Sequence, residues 1–267
     1  MLIKIDDPAD ARLDGYRDIR ERDMVGRQGR FIAEGRVVLS VLMSVENFAV
    51  ESLLISENRL AGIADLLERL ADEIPVYIAS LETLSTIAGF HVHRGVMAIG
   101  VQKTSCDFEI TPKKVAENSL IVVLSDISNH DNMGSIFRNC AAFEADLVIL
   151  DDKCCDPLYR KALRVSVGAV LKVPFIRSGA ITAIVTGLEQ QGYSLAALSA
   201  QGSKSISEMV PNGRRALLLG SEGHGLPQAV MEKCETWAIP MSRTFDSLNV
   251  ATASGIALFH ASQYSQK

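Results

Sequence analysis

The stretch LLLGSEGHGLP, Leu217–Pro227, decides how the second half of the chain folds. Three leucines are followed by Gly220, Gly223 and Gly225, and a helix-like run comes next. A strand, a glycine turn and a helix ordinarily cradle phosphate, because the bare backbone N–H groups bind anions. Glu222 inside this turn would repel one. The spacing is G-x-x-G-x-G rather than the G-x-G-x-x-G of a dinucleotide fingerprint. No Lys–Ser/Thr pair follows the last glycine, which excludes a P-loop. The turn therefore calls for a ligand that accepts both bare backbone and a carboxylate.

The same strand-and-helix alternation extends outward from the turn. SLIVVLSDI (119–127), ADLVILDD (145–152), GAVLKVPFI (168–176), YSLAALSA (193–200), RRALLLGS (214–221) and TWAIPM (236–241) read as strands. MGSIFRNCAAF (133–143), PLYRKALRVS (157–166), AITAIVTGLEQQG (180–192) and a last segment over 248–264 read as helices. Such alternation predicts a parallel sheet covered on both faces. Ahead of it, residues 1–104 read as a small α/β unit. It has a helix after the extended start of FIAEGRVVLSVLMS, an amphipathic helix over 61–72, and strands at 50–56, 74–80 and 94–102. Residues 105–117, with Pro112, lose periodicity and read as a linker, leaving 118–267 as the second domain.

Composition narrows the function. Apolar residues make up 48% and charged residues 22% of the 267, the balance of a soluble globular protein. MLIKIDDPAD lacks a signal-peptide layout and no apolar run approaches a membrane span, so a cytoplasmic protein is expected. Cys106, Cys140, Cys154, Cys155 and Cys234 form no metal-spaced set, so no metal is expected and the adjacent pair is read as two reduced thiols. The net charge of −5 argues against nucleic acid on its own. Locally the sign reverses: Lys153, Arg160, Lys161, Arg164, Lys172 and Arg177 face only Asp156. Arg160 and Arg164, four apart, share a helix face, which suits an anionic partner or an ordinary solvated face. His91 and His93 read as loop or RNA-contact residues rather than metal ligands, and Trp237 as core.

Three polar blocks sit where ligands bind, beyond the carboxyl ends of parallel strands. SNHDNMGSIFRN holds Asn132, suited to cap a helix, and Arg138, alone in an apolar helix and expected at a cleft. LLLGSEGHGL holds Glu222. IPMSRTFDSLNVATASG leads through Ser247 and Asn249 into a helix of small residues, whose start suits a ligand.

Together and in this order, the blocks resemble the three motifs of the SpoU/TrmH-type RNA ribose 2′-O-methyltransferases of the SPOUT class, with NMGSIFR, LLLGSEGHGL and IPM…SLNV as the three. The first domain, through FIAEG and HRGVMAIG, is similar to the ribosomal-protein-like substrate-binding domain that many members carry. Where the family often has Ser-Val-Ala after Asn-Val, this chain has Ala-Thr-Ala. The resemblance implies a deep trefoil knot, a homodimer, S-adenosylmethionine as methyl donor and transfer or ribosomal RNA as acceptor. It implies a catalytic set of Asn132, Arg138, Glu222, Ser247 and Asn249. Leu198, Gly220, Glu222, Gly223, Ile239, Met241 and Leu248 are the implied cofactor contacts. RNA contacts are expected at Arg160, Lys161 and Arg164. A guanidinium holds its proton in proteins, so Arg138 is read as an electrostatic stabiliser and phosphate clamp rather than a base. Glu222 is left with two possible jobs, serving the cofactor's positive end or holding a side chain such as Arg138. A Rossmann-type nucleotide enzyme would need a glycine fingerprint where SNHDNMG stands. A non-catalytic RNA-binding relative would lack the polar residues of the motifs, and all are present.

Overall fold

The computed structural model describes residues 2–17, 29–103, 118–210, 213–242, 244 and 246–262. The expected linker at 105–117 lies outside them. The chain forms two compact units, Met1–Ser105 with Asp156–Lys172, and Cys106–Cys155 with Val173–Lys267.

In the first unit the elements are β1 (Leu2–Lys4), β2 (Arg30–Glu34), α1 (Arg36–Leu42), β3 (Phe48–Ser56), α2 (Ala64–Leu67), β4 (Val76–Ala79), α3 (Leu81–Ala88) and β5 (Val96–Gln102). Their mixed sheet has the order β1-β4-β3-β5-β2, with β5 antiparallel to both of its neighbours. Leu13, Tyr16, Ile32, Leu54, Leu84, Met97 and Val92 form its core. Burial raises the pKa of the Tyr16 phenol above its usual range, and the hydroxyl is satisfied by Ser52 at 2.8 Å. The amphipathic helix expected over 61–72 is shorter. Ile63, at φ −131° and ψ 16°, interrupts it between a 3-10 turn and α2. Helix α4 (Arg160–Val165) and the 3-10 turn Ala169–Leu171 complete this unit. Pro157 lies ahead of α4, whose N-cap is the extended Tyr159.

The second unit contains β6 (Ser119–Leu124), α5 (His130–Ala142), β7 (Leu147–Leu150), β8 (Phe175–Arg177), α6 (Ile181–Gln190), β9 (Ser194–Leu198), β10 (Lys204–Ser205), β11 (Arg214–Leu219), α7 (Gln228–Met231), β12 (Glu235–Ala238) and α8 (Val250–Ser262). Every pairing in the sheet β10-β12-β9-β11-β6-β7-β8 is parallel. Past their opening residues (Ser119 of β6, Ser194 of β9, Arg214 and Arg215 of β11), the central strands are apolar because both faces are covered. Ile121, Val123, Ala216 and Leu218 pack with Ile184, Val185 and Leu188 of α6. The alternate residues Val122, Leu124, Leu217 and Leu219 are equally buried. Truncating one such leucine costs about 2–5 kcal/mol. The expected strand over 168–176 is confined to β8. Gly168 adopts φ +83° and Pro174 has no N–H for a ladder.

Candidate active site

The glycine turn folds back on its own strand. β11 ends at Leu219, and Ser221 and Gly225 pair as an antiparallel bridge, with the Gly225 N–H donating to the Ser221 carbonyl at 3.0 Å. A Cβ on Gly220 would collide with the backbone of Gly225 and Leu226, so only glycine permits the approach. The tip, Glu222 to His224, is thrown outward and exposed.

Glu222 ties the three blocks together. The Asn132 side-chain amide donates to Glu222 Oε1 at 2.9 Å, and that of Asn249 donates to the same oxygen at 2.6 Å. Asn249 also donates to Asn132 Oδ1 at 2.9 Å. Its own Oδ1 accepts from the N–H groups of Ala251 and Thr252, which caps α8. Asn132 was expected as a cap. The cap of α5 is instead Asn129, whose side chain accepts from the Asp131 N–H, and this leaves Asn132 one turn inside the helix and buried. Two neutral amides thus hold one carboxylate oxygen. Among the described residues Glu222 forms no ion pair, and it is exposed at the tip of the turn.

That carboxylate borders a cavity of about 420 Å³ at the carboxyl ends of β9, β11 and β12. Leu198, Gly220, Ile239, Met241, Ser247 and Leu248 line it with Glu222. Gly223 lines an adjoining cavity of about 240 Å³ together with Asn132 and Glu222. Two further residues line the cavity, Trp237 and Ser221. Trp237 is buried, as expected of core, yet it borders the cavity, and its indole N–H finds no hydrogen-bond partner; the same holds for the Ser221 hydroxyl. Buried donors are rarely left unmatched, so both are groups that a bound molecule can satisfy. Nothing in the sequence pattern separates a core tryptophan from one beside a cavity. The cavity therefore offers apolar walls, orphan donors and an unpaired carboxylate, a lining suited to a flat polar heterocycle carrying a positive charge.

Arg138 lies on α5 six residues beyond Asn132, exposed, and does not line the cavity. It forms no hydrogen bond or ion pair among the described residues. Behind the site, α5 and α8 are locked by Asn139, which donates to the Ala251 carbonyl at 2.8 Å and to Ser254 Oγ at 2.9 Å. Burial pushes the Cys140 and Cys154 thiols up to about 12, so both stay neutral and inert at ordinary pH. Among the described residues no cluster of three or more His, Cys, Asp or Glu could hold a metal, and no helix is long and apolar enough to cross a membrane.

Arg160, Lys161 and Arg164 belong to the first unit. Arg160 is engaged there: its Nη1 donates to Glu34 Oε2 at 2.9 Å, and its guanidinium lies 3.9 Å from the Phe90 ring centroid. Arg164 approaches the same Glu34 oxygen at 3.7 Å. Lys161 is exposed.

Comparison with known proteins agrees with this architecture. The model of the SpoU rRNA methylase family matches residues 119–259. An uncharacterized tRNA/rRNA methyltransferase of Mycobacterium tuberculosis (strain ATCC 25618 / H37Rv) is 36% identical over 262 residues, covering 95% of this chain and 89% of that one. In overall fold the chain is similar to the AdoMet-bound rRNA methyltransferase of Sinorhizobium meliloti (TM-score 0.82, 21% identity, 100% and 99% of the two chains). It is equally similar to the SpoU methyltransferase AviRb of Streptomyces viridochromogenes in complex with AdoMet (TM-score 0.82, 24% identity, 96% and 99%).

Proposed function

The chain belongs to the SpoU rRNA methylase family, and from that premise we propose that it transfers the methyl group of S-adenosylmethionine to a ribose 2′-hydroxyl of RNA. The observation that carries this reading is the Asn132–Glu222–Asn249 cluster at the rim of the 420 Å³ cavity. S-adenosylmethionine is a cation without phosphate, which suits the unpaired carboxylate that made the glycine turn a poor phosphate site. Leu198, Ile239 and Leu248 would hold its adenosine, with Trp237 Nε1 and Ser221 Oγ as matching donors. Bound there, it supplies an electrophilic methyl group on its sulfonium.

The remaining work belongs to the chain's own residues. Methyl displacement needs the hydroxyl placed in line and its deprotonation eased. Arg138 retains its proton, so its role is to stabilise developing negative charge on the ribose oxygen and to hold the flanking phosphate. Ser247, exposed at the cavity rim, is placed to position the nucleotide. The first unit, which takes in Asp156–Lys172 as well, serves as the RNA-binding domain and the second as the methyl-transfer domain of a cytoplasmic enzyme. Two further features support the family's deep trefoil knot and homodimer as part of this reading. Gly202 leaves no room for a Cβ against the backbone of Trp237 and Ala238, the close passage that a threaded segment requires. α8 bears no Lys, Arg, Asp or Glu and exposes Phe259, 47% accessible, as a surface for a second copy.

Trp237 is the only tryptophan of the chain, so its fluorescence reports on the cavity directly. Arg138→Ala should keep the cofactor-induced fluorescence change and lose roughly 10²-fold or more in methylation rate. Near-normal turnover would overturn the role assigned to Arg138.

A further inference from the structure

The first unit carries a cationic surface that the three motifs do not explain. Residues 89–95 link α3 to β5, and the loop is anchored in its middle and at its end. Val92 is fully buried, and its N–H donates to Ser85 Oγ at 3.1 Å. Gly95, at φ +64°, sits so close to Ser56 that a side chain there would collide with it, and Arg59 packs beside the same glycine. Because Val92 points inward, its neighbours His91 and His93 both point outward, and their rings lie 4.5 Å apart. Beside them Phe90 packs one side on the core and presents the other to the Arg160 guanidinium.

Arginines converge on this loop from several elements. Arg94 lies over Gly35, at the start of α1, and Arg59 lies against Gly95. Both are exposed and form no hydrogen bond or ion pair among the described residues. Arg160 and Arg164 share the single buried carboxylate of Glu34, and Arg36 pairs with Asp65. Arg59 and Arg94 thus meet no carboxylate among the described residues, on a protein whose net charge is −5. Beyond Phe90 the loop opens on a groove lined by Glu82, Ser85, Thr86 and His91. Flat rings beside unmatched guanidiniums, on an anchored loop, suit a strand whose phosphates and unstacked bases are both exposed.

Resting on the function proposed above, we infer that the surface formed by His91, His93, Arg94 and Arg59 binds a single-stranded loop of the RNA substrate. The arginines hold phosphates and the imidazole pair stacks on a base. Arg160 and Arg164 shape this surface through Glu34 rather than serving as its outermost contacts.

The test measures binding of fluorescein-labelled total transfer RNA and ribosomal RNA by the full-length protein across a salt series. Arg59→Ala/Arg94→Ala should flatten the plot of log affinity against log salt by roughly 1.5, two phosphate contacts' worth. His91→Ala/His93→Ala should weaken binding by about tenfold while leaving the slope unchanged. Arg59→Lys/Arg94→Lys, which keeps the charge, should restore the slope. The Trp237 fluorescence response to S-adenosylmethionine and the circular dichroism spectrum should match wild type in all three. If wild type methylates RNA and the alanine variants bind RNA with unchanged affinity and slope, the surface assignment falls while the functional reading stands. If wild type methylates neither RNA class, the functional reading falls and takes this inference with it.

Discussion

At the scale of single residues, the site turns on one carboxylate oxygen that receives two amides. Glu222 Oε1 is met by Asn132 and Asn249, which come from positions 90 and 27 residues away. Of the two jobs open to Glu222, holding Arg138 finds no support, since Arg138 stands apart and Glu222 is braced by neutral groups. Its charge is therefore available to a cationic ligand. Glu222→Gln keeps the size and one acceptor but removes the charge. It should weaken S-adenosylmethionine binding by about tenfold or more, the worth of a charge-assisted contact, with little change in melting temperature. Titration of the Trp237 fluorescence measures it, and unchanged affinity would contradict the reading. The residue types at this site were legible in the sequence because each is tied to a strand end or a helix start. Their mutual contacts were not: nothing local indicates that Asn249 bonds to Asn132 across 117 residues. Nor does the sequence distinguish Asn129 from Asn132 as cap, because both are good caps one turn apart and only burial separates them.

At the scale of elements, the strands of the second unit were legible for a simple reason. A strand covered on both faces is apolar over its covered length, and β7, with the stretches after Ser119 in β6 and after Arg215 in β11, announces itself that way. Elements made by tertiary contacts were harder. α3 has a Ser80 cap, whose side chain accepts from the Thr83 N–H at 3.0 Å, and a left-handed Gly89 stop. Those signals were present but bracket only two turns. The basic helix α4 shows the opposite case, where a clear pattern allowed two readings. Its Arg160 and Arg164 looked equally suited to RNA and to solvent, yet both approach the buried Glu34 of β2. No pattern on α4 itself reveals a carboxylate 126 residues away. Arg160→Ala should therefore lower stability, by up to about 3–5 kcal/mol, because it strands a buried charge. Arg164, still within reach, places the loss toward the low end. Urea unfolding monitored by circular dichroism measures the effect, and a loss of RNA affinity with unchanged stability would reverse this assignment.

At the scale of the whole molecule, the chain comprises two α/β units, and most of its length aligns with its mycobacterial relative at 36% identity. The parallel sheet was legible because alternating strands and helices leave few other arrangements. A knot and a second subunit would leave no periodic trace; both are proposed from family membership, the second also from the exposed Phe259 of α8. Phe259→Asp should convert a dimer to a monomer of 29.0 kDa in multi-angle light scattering. A wild-type protein that is already monomeric at micromolar concentration would remove the dimer from the account. Transfer to the ribose hydroxyl, rather than to a base, is read directly by alkaline hydrolysis. Total RNA is incubated with the protein and methyl-labelled S-adenosylmethionine, then hydrolysed in alkali, which cleaves only next to a free 2′-hydroxyl. Label is expected in alkali-resistant dinucleotides, and label recovered in mononucleotides would place the methyl group on a base and overturn ribose methylation.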